Sequence, residues 1–158
     1  MPKMPAATAT KLKEWRCDEI EIPPMERGKV LVKTNISSIC GSDLHIVYMG
    51  WNVTEFPLPH GYPGHEGIGV VIDQWDRNFS DGDLILTVPN IWQSKCFAGY
   101  QIIDPQFLLT LPTNIPQDHL LMAQQLGTVV FGCKNLPPLI GKTVAIIGQG
   151  PVVLFHSF

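Results

Sequence analysis

Fourteen glycines and fourteen prolines cut the apolar sequence of this 158-residue chain into short runs. Short runs bounded by turn residues favour the strands of a small β barrel or sandwich over long helices. "KVLVKTNIS" alternates Val30, Val32, Thr34 and Ile36 with Leu31, Lys33 and Asn35, as a half-buried strand does. "GIGVVIDQW", "GYQIID" and "FLLTLP" read as further strands. "SDGDLILTVP" reads as a turn at Asp81-Gly82-Asp83, then a strand from Leu84 to Val88.

The character changes near Pro112. From Pro116 to about Asn135, apolar residues recur at spacings of three and four (Leu120, Ala123, Leu126, Val130, Cys133), which predicts a helix weakened by Gly127 and Gly132. "PPLIGKTVAIIGQG" then runs into an unbroken apolar stretch, Thr143 to Ile147, ending at Gly148 and Gly150. Such a stretch looks like the first strand of a parallel, nucleotide-binding sheet. The sequence reads as a β domain, a connecting helix and the opening of something more.

Composition narrows the function. The net charge is −3 and the eleven Lys and Arg are scattered, which argues against a nucleic-acid partner. The apolar runs are far too short to span a membrane. The N-terminus lacks the apolar core of a secretory signal, so a cytoplasmic protein is expected. Cys17, Cys96 and Cys133 are widely spaced and are expected to be buried thiols rather than a disulfide framework. His60, His119 and His156 are given no functional role.

Reactive side chains gather at two points. "ICGSDLH" holds Cys40, Ser42, Asp43 and His45, and "PGHEGIG" sets His65 beside Glu66 between Gly64 and Gly67. A catalytic zinc site takes three protein ligands from thiolate, imidazole and carboxylate and leaves one position open. Cys40, His65 and Glu66 supply that set. Asp43 is available to accept the second N–H of a ligating imidazole. Ser42 offers a hydroxyl for proton transfer, and His45 an imidazole that could carry the proton to solvent. Each part alone has a plainer account: a core thiol, a hydrogen-bonded His–Glu pair, a surface histidine. Twenty-five residues separate Cys40 from His65, so no local geometry forces them together.

In order and in context, the two signatures resemble the zinc-containing medium-chain alcohol dehydrogenases. "GKVLVKTNISSICGSDLHIVYMG" is similar to that family's strand and Cys-Gly-Ser/Thr-Asp-x-His signature, and "FPLPHGYPGHEGIGVV" to its Pro-Gly-His-Glu signature. "FAGYQIIDPQFLLTLPTNI" resembles the strand that closes its barrel, and "MAQQLGTVVFGCKNL" the helix leading to its cofactor domain. The resemblance implies a mainly β fold with some α: a GroES-like barrel over residues 1–115, a linking helix over 116–141, and over 142–158 the truncated start of a Rossmann NAD(P)-binding domain. It implies hydride transfer between an alcohol and NAD or NADP, with one catalytic zinc on Cys40, His65 and Glu66. Asp43 would orient His65, Ser42 would take the alcohol proton and His45 would relay it. Gly148 and Gly150 would be a partial cofactor-binding motif. The partners implied are a small alcohol and the missing Rossmann domain, and an exposed interdomain face invites self-association.

The chain also departs from the pattern. The four-cysteine lobe of many members is absent, since only Cys96 lies in "VPNIWQSKCFAGY", so no structural zinc is expected. Gln124 stands where an acidic ligand is usual, a neutral and poorer donor. Gly99 stands where Glu is usual, and Val153 where the third fingerprint glycine would fall. These departures keep two alternatives open: a zinc-free relative of the quinone-reductase kind, and a standalone GroES-like binding module. Tyr48, Trp51 and Phe56 are expected to serve loop and barrel packing rather than the alcohol pocket.

Overall fold

In a computed structural model, residues 2–75, 78–88, 90–148 and 150–156 are described. Gln149 of the glycine fingerprint, Pro89 at the end of the "LILTVP" stretch, the His156 side chain, and Ser157 and Phe158 lie outside the described residues.

The fold begins with a hairpin that the sequence reading missed. Strands β1 (Lys3–Lys11) and β2 (Glu14–Glu21) pair antiparallel from Lys3–Glu21 inward. Their turn carries Lys13 at φ 65°. Hairpin turns of this kind normally announce themselves with Gly or Asn. Here lysine takes the left-handed conformation, and the signal is lost. The inward side of β1 is also nearly all small, with Ala6 and Ala9 almost fully buried.

β3 (Val30–Ser38) buries Val30 and Val32 completely, as its alternation predicts. Helix α1 (Gly41–Met49) follows, and it too was not foreseen. Only Ile46 and Val47 among its apolar residues are buried, too few to show a helical stripe. Next come β4 (Glu66–Gln74), β5 (Leu84–Thr87), β6 (Tyr100–Ile103), a 3₁₀ turn at Pro105–Phe107 and β7 (Leu108–Thr110). The larger sheet is antiparallel throughout, in the order β6-β3-β4-β5-β7. The hairpin joins it through an Ala6–Ala98 bridge and the Gly99 N–H donating to Pro5 O at 2.9 Å. A Cβ on Gly99 would come within 3.3 Å of both Met4 Cβ and Pro5 Cδ. That close approach is a packing reason for glycine at this position.

Both faces of the sheet are covered. Val30, Val32, Val71, Ile85 and Ile103 share one cluster, while Ile68, Leu84 and Leu86 meet Leu120 and Leu121 of α2 (Gln117–Lys134) on the other. The helix matches the spacing from Pro116 to about Asn135 but stops at Lys134, short of the 141 expected for the linking helix, because Pro137 and Pro138 cannot continue it; its first half docks on the sheet.

Two expectations fail. Residues 143–147 form no strand; they run as an irregular, exposed segment to a short helix, α3 (Pro151–His156). A strand exists through a neighbour's hydrogen bonds, and among the described residues none pairs with this segment. Cys17 and Cys133 are exposed, and only Cys96 is the buried thiol expected. Cys17 lies on β2, none of whose residues is buried. Cys133 lies near the end of α2, past the turns that touch the sheet.

Candidate metal centre

The last register pair between β3 and β4 sets Ser38 opposite Glu66. Two residues beyond Ser38, Cys40 is the N-cap of α1, with extended backbone at φ −89° and ψ 156°. Asp43 closes this cap: its Oδ2 accepts the Cys40 N–H at 2.8 Å. The other carboxylate oxygen, Oδ1, accepts from His65 Nδ1 at 2.9 Å. Pro63 O lies 3.2 Å from the same nitrogen. Nδ1 therefore carries a hydrogen, and Nε2 faces Cys40 and Ser42, whose Oγ is 3.4 Å away. Asp43 and His65 are only 1% and 3% exposed.

The glycines flanking the His-Glu pair are there for space. A Cβ on Gly64 would fall 2.6 Å from the Phe97 ring, and one on Gly67 would fall 2.8 Å from Cys96 Sγ. No larger residue fits at either place without displacing its neighbour.

The donor atoms of Cys40, His65 and Glu66 all lie within 4.8 Å of one another. Electrostatics readies the sulfur, at the cost of a proton on His65 that a metal ion would have to displace. Burial pushes the His65 pKa down, but the hydrogen bond to Asp43 and then the contact with Cys40 outweigh it and raise it to about 10. His65 in turn draws the Cys40 pKa down against the opposing effect of burial. The thiolate is the form in which sulfur binds metal. Glu66 Oε2 accepts from the Ser38 hydroxyl and from Gln125 Nε2 at 3.4 Å, leaving Oε1 without a donor among the described residues. A thiolate, an oriented imidazole and a half-satisfied carboxylate make a donor set suited to zinc.

The cluster opens on a cleft of about 390 Å³ that Ser42, Gln124, Gln125 and Thr128 also line, with Pro151 and Val152 from α3. So five of the six residues read as metal ligands or proton-transfer groups come together: Cys40, Ser42, Asp43, His65 and Glu66. His45 is exposed on α1, and no hydrogen bond among the described residues joins it to Ser42. Gly148, at φ 116°, and Gly150 sit in the exposed segment before α3. His60 is engaged elsewhere, 2.7 Å from Thr8 Oγ1. Phe56 packs under α1 as expected, whereas Trp51 is exposed and meets Trp92 with ring centroids 5.8 Å apart. Ser38 and Gln125 were missed. Gln125 had one available signal, its position beside Gln124; Ser38 had none.

A five-stranded antiparallel sheet, a bridged hairpin and this donor set define a GroES-like domain, and residues 26–109, just over half the chain, match the Alcohol dehydrogenase GroES-like domain. The chain belongs to the zinc-containing medium-chain alcohol dehydrogenase family. It is 29% identical to L-threonine 3-dehydrogenase of Pyrococcus furiosus, covering 86% of this chain and 46% of that protein. It is 26% identical to (R,R)-butanediol dehydrogenase of Bacillus subtilis, covering 96% of this chain and 53% of that one. An alcohol dehydrogenase from Thermotoga maritima superposes with a TM-score of 0.78 at 24% identity, over 98% of this chain and 54% of that one. The chain thus spans about half the length of the relatives it matches.

Proposed function

We propose that this chain is the metal-binding, substrate-holding part of a zinc-dependent dehydrogenase that moves hydride between a small alcohol and NAD or NADP. The supporting observation is the convergence of Cys40, His65 and Glu66 within 4.8 Å, with Asp43 behind His65. That donor set also favours this reading over a zinc-free reductase.

In this reading Cys40 Sγ, His65 Nε2 and Glu66 Oε1 hold one zinc ion. When bound, it would lower the pKa of an alcohol oxygen, making proton loss accessible near neutral pH. The protein's own residues do the rest. Asp43 fixes the imidazole so that Nε2 points into the cleft. Ser38 and Gln125 hold one oxygen of Glu66 and so aim the other. The Ser42 hydroxyl, at the cleft wall, accepts the proton of the alcohol. His45 lies three residues further along α1, about one turn away, and passes the proton to solvent. A bound nicotinamide would supply the redox chemistry, and Gly148 and Gly150 would belong to the partial motif that holds it.

Chemistry needs alcohol, metal and nicotinamide held together. The 158 residues tested alone are therefore expected to show no NAD-dependent alcohol oxidation. Leu126, Val130, Phe131 and Ile140 are exposed on and beyond α2, so concentration-dependent association is expected as well.

The test is zinc content per chain after dialysis without chelator. The expected result is near one zinc, lost in Cys40→Ser and in His65→Ala. A folded chain without zinc would refute the metal reading.

A further inference from the structure

Among the described residues, two buried side-chain polar atoms have no hydrogen-bond partner, Thr34 Oγ1 and Gln125 Oε1. Gln125 is the one beside the metal donors. It lines the cleft, and its Nε2 donates to Glu66 Oε2 at 3.4 Å. Its carbonyl oxygen is sealed from solvent with no donor to accept from. An orphaned buried oxygen costs the fold more than one long hydrogen bond returns. A methionine or leucine at this position would avoid that cost. Glutamine here therefore answers to something other than folding.

Its place on α2 says what that is. Leu121, one turn earlier on the same face, is docked on the sheet in the cluster that holds Ile68, two residues after Glu66 on β4. The docked helix thus holds the Gln125 amide against Glu66. Glu66 Oε2 then has two donors on separate elements, the Ser38 hydroxyl at the end of β3 and the Gln125 amide on α2. With one donor the carboxylate could pivot about that bond; a second donor fixes it. Held this way, Glu66 offers the cluster Oε1 alone. A carboxylate that offers one oxygen suits the four-coordinate geometry of zinc, whereas one free to offer both suits cations that take more oxygen ligands. We propose that Gln125 is a positioning residue that sets the metal preference of the site, keeping Glu66 to one oxygen and so favouring zinc over manganese, at a cost to the stability of the fold. This rests on the metal reading above.

The test measures metal choice and stability in the whole chain. Wild type, Gln125→Met and Gln125→Leu are each titrated with zinc and with manganese(II) in competition with a chromophoric chelator, and their metal-free forms are unfolded in urea. The zinc-to-manganese affinity ratio should fall about tenfold in both variants, the scale expected on losing a group that orients a metal ligand. The folding equilibrium constant of the metal-free chain should rise about tenfold, because the orphaned oxygen is gone. A purely structural residue would lower stability when replaced and leave the ratio unmoved. A ratio unchanged in both variants overturns the proposal. Lower stability in both variants also overturns it, by showing that Oε1 has a partner in solution. Failure of the wild type to bind zinc overturns the metal reading and this inference with it.

Discussion

Two stretches of this chain look alike on paper. "LILT", Leu84 to Thr87, and "TVAII", Thr143 to Ile147, are both short, apolar and followed by turn residues. The first is a strand with every residue buried, hydrogen-bonded to β4 on one edge and β7 on the other. The second is irregular, with Ile147 93% exposed. Apolar character says that a segment should be covered. Whether it becomes a strand depends on neighbours that can pair with it.

The contrast can be broken most directly by mutation. Ile85→Ala should cost about 2–5 kcal/mol of stability in urea unfolding, because Ile85 has no exposed surface. Ile147→Ala should stay within about 0.5 kcal/mol. Equal costs would mean that the 143–147 stretch is as structured as the sheet.

The next largest effect is expected at alkaline pH. Burial raises the Cys96 thiol to about 11, more than the hydrogen bonds from Gln101 and Thr87 bring it back, against an ordinary value of 9.0. The folded protein holds this proton after the unfolded chain has released it. Cys96 thus contributes stability that is complete below pH 9 and lost as pH rises through about 11, roughly 2–3 kcal/mol in all. Unfolding midpoints followed from pH 8 to 11 should fall in the wild type and fall less in Cys96→Ala. Parallel slopes would show that Cys96 is not the group responsible.

Asp43→Asn keeps the size of the side chain and removes its charge. Zinc affinity should drop about 10–100-fold in competition with a chelator. An unchanged affinity would mean that His65 needs no anion behind it. The mildest probe is alkylation of the zinc-free chain. Cys40, whose pKa is lowered, and the exposed Cys17 should react with iodoacetamide at least about tenfold faster than Cys96. Mass spectrometry would resolve the sites, and zinc should then protect Cys40 alone. Rapid labelling of Cys96 would reveal a barrel that opens readily.

The sheet was legible where its strands alternate or lie between turn residues: Val30 to Ser38, Leu84 to Thr87, Tyr100 to Ile103. The hairpin was not, because alanines give little hydrophobic contrast and Lys13 occupies a position usually marked by glycine. α1 was invisible because its residues are chosen by the site rather than by a helical stripe. For the same reason the site was easier to read than the helix carrying it. Cys40, Ser42, Asp43, His65 and Glu66 stood out as types, although nothing local could reveal that 25 residues of chain fold back to join them. The roles of Ser38 and Gln125 depend on which strand end and which helix turn meet Glu66, and that is a tertiary fact.

Asp43 has a consequence for anyone who would redesign this domain. One oxygen of its carboxylate starts a helix and the other orients the imidazole. Architecture and chemistry draw on a single side chain, so they cannot be altered independently there. A designer who wants this barrel as an inert scaffold should remove Cys40 and Glu66 and leave Asp43 in place. Selection acting only on folding would likewise preserve half of what the metal needs, keeping the domain a short mutational step from regaining its site.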